Sequence, residues 1–422
     1  MGDPLMQAHH VTDMYGRRYR IGETDRELLG RPRSWTTWLT TTAMLVTGIG
    51  QYGFGALVPA LSARWGLVEV CWAFALWTAC QAGVAYPAAR FRHVLGPARA
   101  LPLGAVLSAI GLLALAHADT LPTLYLGYGL IGGLGAGLVY ATCVGTAVRW
   151  FPDRTTSRIS LVTAAFALGG VPFLPVAGHP AALDVAALLT LVVVTACGLP
   201  LRDPPPHWWP PDVDPRRRAL THRTNRPAIR PFAPAEALRS GTLAPLFLTV
   251  TAAAAVSLFD LVFLAVPGHL PTLAVLAAAT ALGRPAAGRL SDRIGRRRTL
   301  RLALATGGVA QLVILSGQDS LPILMVGAAL AGLGTSCCYA LLVNLVREYF
   351  GEDTAPLNFA VIYSAKAVGG VLGVGLASIL VTHQGYAPAF LTAAALGLAG
   401  AALGGRLSHP GRPRGLLPSE AS

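Results

Sequence analysis

Long runs of apolar residues, each ended by arginines, prolines or a short polar loop, follow one another along most of the 422-residue chain. An apolar run of about 20 residues can cross the hydrocarbon core of a bilayer as a helix. In the first half of the chain, six such runs lie near 36–61, 70–89, 100–118, 122–148, 159–178 and 182–200. In the second half, six more lie near 242–266, 269–290, 300–317, 321–346, 358–382 and 386–405. The pattern predicts an all-α membrane protein with twelve transmembrane helices.

The polar segments divide the chain into five parts. We expect a cytoplasmic N-terminal tail over 1–35, a six-helix bundle over 36–200, a linker over 201–241, a second six-helix bundle over 242–405 and a cytoplasmic tail over 406–422. The linker is rich in proline and arginine, a composition typical of segments that have no packed core of their own.

The basic residues predict the orientation. Of the 33 lysines and arginines, only Arg64, Arg284 and Lys366 fall outside the loops and tails on one side of the membrane. Because loops rich in lysine and arginine stay in the cytoplasm, we expect a multi-pass protein of the cell membrane with both termini cytoplasmic.

Composition excludes several classes of protein. Only 13% of the residues are charged, against about 25% in a soluble domain. The net charge of +13 does not indicate nucleic-acid binding, because the arginines cluster between apolar runs, where they meet membrane lipids. The six cysteines lie in apolar runs without metal-ligand spacing, and we expect them to be reduced and buried. We see no nucleotide-binding loop or reaction centre, so we expect neither an enzyme nor a bound cofactor or metal.

The two halves resemble each other at a spacing of about 200 residues. "GLGAGLVYATCVGTAVRWF" at 133–151 aligns without a gap with "GLGTSCCYALLVNLVREYF" at 332–350. "AFALGG" at 165–170 aligns with "AKAVGG" at 365–370. Since each half has an even number of spans, the repeats share one orientation. This pattern predicts two parallel six-helix repeats that rock against each other around a central site.

The loop after the eighth run, "GRPAAGRLSDRIGRRRT", carries a recognisable motif. It resembles the signature Gly-x-x-x-Asp-Arg-x-Gly-Arg-Arg of the major facilitator superfamily, and the resemblance implies the major facilitator fold. The matching residues, for which we expect a gating role, are Gly288, Asp292, Arg293, Gly295 and Arg296. A glycine permits close helix contact, and the aspartate can accept from a nearby arginine. The arginines alone would also fit a simple topology anchor.

A narrower resemblance follows from "RWFPDRTTSRISLVTAAFALGG", which begins at Arg149, and from the glycine-rich approach to it. This segment is similar to the connection between helices 4 and 5 in the oxalate/formate antiporter family and the related monocarboxylate transporters. Thr155 and Thr156 stand where that family usually has a glycine after Asp-Arg. The resemblance extends over about 36–405. It implies that an arginine on helix 8 and a lysine on helix 11 bind substrate carboxylates among aromatic residues.

Arg284 and Lys366, the only lysine of the chain, match these two positions. Arg284 lies eight residues before Asp292, and Lys366 lies eight residues after Asn358, where the eleventh run begins. At 1.5 Å per residue both therefore lie about 12 Å inside the membrane. Each charge costs about 3 kcal/mol to insert, so such residues usually mark a transport pathway. The alternatives are a snorkelling Arg284 and a structural partner for Lys366.

Aromatic residues accompany the two cations. We expect substrate contacts from Tyr363, one helical turn from Lys366, from the repeat-related Tyr140 and Tyr339, and from Tyr52 in the first run. Core packing of these tyrosines is the alternative.

Acidic residues are scarce in the apolar runs. Asp260 lies near the outer end of the seventh run and Asp184 opens the sixth. Either could carry a proton, but for both we expect solvation at a loop end.

Taken together, these features predict a secondary transporter of small organic carboxylates, of the oxalate/formate or monocarboxylate type. It would act as a monomer, by anion exchange or proton symport. The alternatives are a drug or metabolite exporter, which would need a buried carboxylate in its cavity, and a membrane receptor or scaffold without transport.

Overall fold

The computed structural model of the protein describes residues 9–14, 16–221, 224–264 and 270–410. The first six membrane helices are α1 (Ser34–Trp65), α2 (Leu67–Arg90), α3 (Arg92–His117), α4 (Leu121–Trp150), α5 (Thr155–Val176) and α6 (Ala182–Gly198). The second six are α7 (Leu243–Phe263), α8 (Leu270–Ile294), α9 (Arg296–Ser316), α10 (Leu321–Phe350), α11 (Ala355–Gln384) and α12 (Tyr386–Gly405). Eleven of these helices are long and apolar enough to cross a membrane, and the shorter α6 is the twelfth. The predicted all-α, twelve-helix fold is confirmed.

Some predicted segments lie outside the described residues. These are the first eight residues, the end of the tail beyond residue 410, and positions 265–269, where the seventh predicted run ends and the eighth begins. Within the described part, the start of α1, the linker and the end of α12 lie at one end of the helical bundle, which we call the basic end.

The two halves meet along pairs of helices. The middle of α2 packs against α11, and α5 packs against α8. Away from the basic end, α1 also contacts α7. Large apolar side chains such as Leu188, Leu282 and Val326 are exposed on the outer surface, as expected for helices that face lipid.

Several helices are interrupted where the halves meet. The regular turns of α1 break near Gly48 and Gly53. Helix α10 breaks at Gly334 and continues through a short 3₁₀ segment, Thr335–Cys337. Helix α11 is interrupted at Ser364 and contains a π-helical segment, Val371–Leu376. Such irregular turns inside helices are frequent at functional sites.

The basic end carries more structure than the sequence predicts. Strands β1 (His9–Thr12) and β2 (Arg18–Ile21) form an antiparallel pair outside the membrane helices. The linker is not the coreless segment expected from its composition, because Trp208 and Trp209 are buried. The Trp208 ring packs against Trp150 at a centroid distance of 5.2 Å, and its indole N–H donates to the Glu23 carbonyl at 2.9 Å. Burial of these aromatic surfaces fixes the linker against the ends of the helices.

All six cysteines are free thiols, and all except the half-buried Cys80 are buried. This agrees with the reduced core cysteines that the sequence predicts.

Candidate functional site

The single lysine of the chain lies inside α11 and is only 2% exposed. Its Nζ donates to Oε1 of Gln51 on α1 at 2.7 Å and to Oε1 of Gln81 on α2. Nζ also lies 5.9 Å from the ring centroid of Trp77 on α2, within cation–π range. These groups all belong to the first half, so Lys366 connects the two halves across their interface.

Arg284 on α8 is equally buried, at 2% exposure. Its Nη2 donates to the hydroxyl of Tyr52 at 2.8 Å, and its Nη1 donates to the Thr163 carbonyl on α5. Its Nε donates to the Ser336 carbonyl in the 3₁₀ segment of α10 at 3.3 Å. Arg284 therefore also bridges the two halves and does not snorkel to a helix end.

The four predicted tyrosines come together around these cations. The ring centroid of Tyr339 lies 5.6 Å from Cζ of Arg284 and 5.6 Å from Nζ of Lys366. The two charged atoms are therefore separated by no more than twice that distance. Tyr363 stacks on Tyr140 at 5.2 Å and meets Tyr339 edge-on at 6.2 Å. With Tyr52 bonded to Arg284, every residue predicted at the substrate site lies in one buried cluster.

Neither cation has an ionic partner in the described part of the chain. Their hydrogen-bond acceptors are two amide oxygens, one phenol and two backbone carbonyls, and no carboxylate lies within ion-pair distance of Arg284 or Lys366. The Nε2 of Gln81 also has no partner among the described residues. Buried charge without a counter-ion is costly. An anion that entered this cluster would supply the missing charge and find ammonium, guanidinium and amide donors around it.

The two acids singled out from the sequence lie in different surroundings. Asp184 accepts from His117 at 2.7 Å and its side chain is 39% exposed, which agrees with a solvated loop end. The same expectation is wrong for Asp260, which is 1% exposed. It lies three residues before the end of α7, but helix α9 covers it and Gln311 donates to its Oδ1 at 2.9 Å.

On the side that faces away from the basic end, contacts between the two halves close off the buried cluster. A Cβ added at Gly55 on α1 would collide with the Leu261 carbonyl of α7. A Cβ added at Gly370 on α11, one turn beyond Lys366, would collide with the Thr78 hydroxyl of α2. These positions need glycine because backbone and side chain of opposite halves are in contact there.

At the basic end, Arg296 is the centre of a polar network that joins the halves. It is buried and donates through Nε to Glu348 on α10 at 2.8 Å and through Nη2 to Thr156 on α5 at 2.9 Å. Its Nη2 lies 3.0 Å from Oδ1 of Asp292. Asp292 also accepts from Thr156 at 3.3 Å, but its side chain is 52% exposed. The predicted gate motif therefore lies where the two halves meet, and the centre of its network is the buried Arg296, not Asp292.

The remaining motif residues have distinct positions. Gly288 lies against Ser160 of α5, where a Cβ would crowd the serine hydroxyl. Gly295 has a φ of +94°, a left-handed conformation that favours glycine in the turn before α9. Arg293 is exposed, and the structure places it in none of the hydrogen bonds of the junction.

A second junction at the basic end was not predicted. Arg347 of α10 donates to the Thr155 hydroxyl at 2.6 Å and to Glu352 at 2.9 Å. Glu352 accepts at 3.0 Å from Arg17, which lies in the N-terminal segment before β2. Thr155 and Thr156, the pair that replaces the glycine expected from the family resemblance, thus form the first-half side of both junctions.

Sequence reasoning also missed most partners of the buried charges. Gln81, Trp77 and Thr163 lie on α2 and α5, far along the chain from the cations they contact. A glutamine well inside an apolar run is a signal that could have found three of the partners. Gln51, Gln81 and Gln311 lie in such runs, and each bonds a buried ionisable residue.

Twelve membrane helices in two six-helix halves, with a buried polar cluster between the halves, define the class of polytopic membrane transporters. The model of the Major Facilitator Superfamily matches residues 40–276 and 268–421, and the chain belongs to this family. The predicted family resemblance and fold are therefore confirmed, and so is the expectation that the protein is a transporter and not an enzyme.

Several individual proteins are similar to the chain. An uncharacterized 38 kDa protein from a 23S RNA operon of Thermoproteus tenax is 30% identical, over 88% of this chain and 95% of its own. The oxalate:formate antiporter of Oxalobacter formigenes is 27% identical over 78% and 79% of the two chains. Monocarboxylate transporter 13 of Rattus norvegicus is 26% identical over 75% and 74%.

Solved structures show the same fold. The crystal structure of a human organic anion transporter has a TM-score of 0.63 at 17% identity and covers 89% of this chain and 100% of its own. The crystal structure of a POT family transporter in complex with 5-aminolevulinic acid has a TM-score of 0.66 at 12% identity and covers 90% of this chain and 97% of its own. At these identities the likeness concerns the fold alone.

Proposed function

We propose that the protein is a secondary transporter of small organic carboxylates and that Arg284 and Lys366 bind the carboxylate together. One observation carries the proposal: two buried cations share one aromatic cluster, and neither has an acidic partner in the described chain. A carboxylate would turn two uncompensated charges into charge-assisted hydrogen bonds, which are roughly twice as strong as neutral ones. The names of two relatives, an oxalate:formate antiporter and a monocarboxylate transporter, agree with this substrate class.

The two cations suit different parts of such a substrate. The planar guanidinium of Arg284 can donate two parallel hydrogen bonds to one carboxylate, whereas the ammonium of Lys366 is a compact point charge. A dicarboxylate such as oxalate can face both. The rings of Tyr140, Tyr339 and Tyr363 would enclose a small planar anion.

Transport by alternating access follows from the position of these contacts. Both cations belong to the second half, and most of their acceptors belong to the first. Opening toward the basic end must break the contacts of Arg296 and Arg347 with the two threonines of α5. Opening at the other end must separate α1 from α7 and α2 from α11. A rocking motion of one half on the other would do either.

The proposal also includes the location, the orientation and the oligomeric state of the protein. We infer that it lies in the cell membrane as a monomer, with the basic end and both termini in the cytoplasm, because 30 of the 33 basic residues belong to the tails, the linker and the loops that the sequence assigns to one side. An empty site leaves two like charges without a counter-ion. Binding of the carboxylate would therefore favour closure of the cavity around it.

Counterflow in proteoliposomes tests the function. Vesicles that contain purified protein and unlabelled oxalate should take up labelled oxalate, and Arg284→Gln or Lys366→Gln should abolish this uptake. Lys366→Arg should restore it poorly, because the guanidinium is larger and planar. A drug exporter would move organic cations and ignore carboxylates, and a receptor or scaffold would move neither, so either result would contradict the proposal.

A further inference from the structure

We propose that Asp260 and Gln311 form a proton-binding site inside the second half, separate from the carboxylate site, and that this site couples transport to protons. Its role in coupling rests on the proposed carboxylate transport, but the binding of a proton by Asp260 does not.

The carboxyl group of Asp260 lies in surroundings that leave it incompletely bonded. Asp260 is 1% exposed and takes a single hydrogen bond, from Nε2 of Gln311 to Oδ1 at 2.9 Å. Its Oδ2 has no hydrogen-bond partner within the described residues. Oε1 of Gln311 and Oγ1 of Thr335 also have no partner there. The three residues that carry these atoms lie close together. Gln311 bonds both Asp260 and the Gly307 carbonyl, the latter at 3.2 Å, and Thr335 packs against Gly307.

The electrostatic surroundings also favour a bound proton. The titratable side chains buried on the helices that surround α7 are Tyr52, Arg284, Arg296, Cys337, Cys338, Tyr339, Tyr349, Tyr363 and Lys366. None of them makes a hydrogen bond or ion pair with Asp260 in the described structure. Helix α12 presents Phe390, which packs on the neighbouring Phe259 at 4.9 Å. An ionised carboxylate buried among such groups without a cation costs several kcal/mol, so the group is stable there only with a proton bound.

The 3₁₀ segment of α10 connects the surroundings of Asp260 with the carboxylate site at Arg284. The 3₁₀ segment Thr335–Cys337 contacts α7, α8 and α9. On one side the Ser336 carbonyl accepts from Arg284 at 3.3 Å, and on the other side Thr335 lies against the helix that carries Gln311. A movement of this segment when the carboxylate binds Arg284 would therefore reach the carboxyl group of Asp260. Two sites that share one movable segment can be coupled.

The cycle balances without another reactant. When the end of the bundle near Asp260 opens, the Asp260 carboxylate takes a proton from hydronium and releases water. When the protein opens to the other side, the protonated Asp260 side chain gives this proton to water there. One proton crosses with each carboxylate, and no other bond forms or breaks.

A vesicle assay with a matched control tests the coupling. We would compare the wild-type protein with Asp260→Asn and with Asp184→Asn, which changes an exposed acid on α6. Proteoliposomes would have equal oxalate on both sides, a membrane potential held at zero with potassium and valinomycin, and a pH gradient that is acidic outside. The wild type and Asp184→Asn should concentrate labelled oxalate about tenfold per pH unit, since one pH unit is worth about 1.4 kcal/mol per proton. Asp260→Asn should keep counterflow and lose this accumulation.

Three results would overturn the coupling. The first is that Asp260→Asn concentrates oxalate as the wild type does. The second is a wild type that shows counterflow but no response to the pH gradient. The third is accumulation that follows a sodium gradient instead and is lost in Asp260→Asn, because the site would then bind a metal ion.

An infrared titration separates this inference from the proposed function. Purified wild-type protein should show a carboxylic-acid C=O band that is absent in Asp260→Asn, present in Asp184→Asn and lost as the pH is raised. This measurement needs no substrate, so it stands even if counterflow fails. Absence of the band at every pH, or its persistence in alkali, would show that Asp260 does not exchange a proton.

Discussion

Replacement of Lys366 by glutamine separates a binding role from a structural one. In the structure the ammonium has two amide acceptors, Gln51 and Gln81, and no carboxylate. The glutamine amide can donate to the same acceptors, and the variant removes a buried charge that has no counter-ion. Replacing such a charge is usually neutral or stabilising. We therefore expect the melting temperature of the unliganded protein to be unchanged or raised.

The effect on ligand binding should be opposite. A hydrogen bond to a charged group contributes about 1.5 to 3 kcal/mol, so losing the ammonium should weaken oxalate binding about 10- to 150-fold. In the wild type, oxalate at 100 times its Kd should stabilise the protein by about 2.7 kcal/mol. At least about half of the resulting thermal shift should vanish in Lys366→Gln, because the same oxalate concentration is then about 10 times the Kd or less.

Isothermal titration calorimetry and thermal unfolding on purified protein measure both quantities. Arg301→Gln, which neutralises an exposed side chain on α9, is the matched control and should change neither. The reasoning is refuted if Lys366→Gln binds oxalate as the wild type does. It is also refuted if the unliganded variant loses several kcal/mol of stability, because the lysine would then hold the helices together.

Three further predictions concern the junctions and the orientation. Asp292→Asn should slow counterflow by less than about fivefold, since the Asp292 side chain is 52% exposed and solvent screens its pair with Arg296 to at most about 1 kcal/mol. Arg296→Gln should bias the conformations by about 3 kcal/mol, because Glu348 is left unpaired. Equal counterflow rates in the two variants would contradict this ranking. Gly370→Val should lower the melting temperature and block the closed state, as judged by crosslinking between α2 and α11, because its side chain would occupy the place of the Thr78 hydroxyl. A cysteine at Gln318 should react with an impermeant thiol reagent from outside intact cells, whereas one at Arg216 in the linker should not; the reverse pattern would invert the orientation.

Much of the fold could be predicted because the length and spacing of the apolar runs depend on the bilayer alone. That Arg284 and Lys366 lie at one level of the bundle could also be predicted, because a helix converts residue number into distance. Their partners could not, since Gln81 and Thr163 lie on helices whose rotation and neighbours depend on packing. The sequence places Asp260 near a helix end, but the cover that α9 provides is visible only in three dimensions.

The basic end shows the same limit. The motif around Asp292 lies where the two halves meet, but the aspartate is the exposed member of the network and Arg296 is the buried one. Charge patterns in a sequence do not tell which of two paired groups is covered. The burial of Trp208 and Trp209 could not be predicted either, because tryptophan suits both a membrane interface and a buried cluster.

The central claim is that Lys366 contacts the transported carboxylate, and the sequence offers an unusually direct test of it. Because the chain has one lysine, protein grown with lysine labelled with nitrogen-15 at Nζ gives a single side-chain signal in a nuclear magnetic resonance spectrum. Addition of oxalate should shift this signal in a saturable way, with the same Kd as calorimetry, and Arg284→Gln should abolish the shift. A signal that stays unchanged at oxalate concentrations that saturate transport would contradict the account.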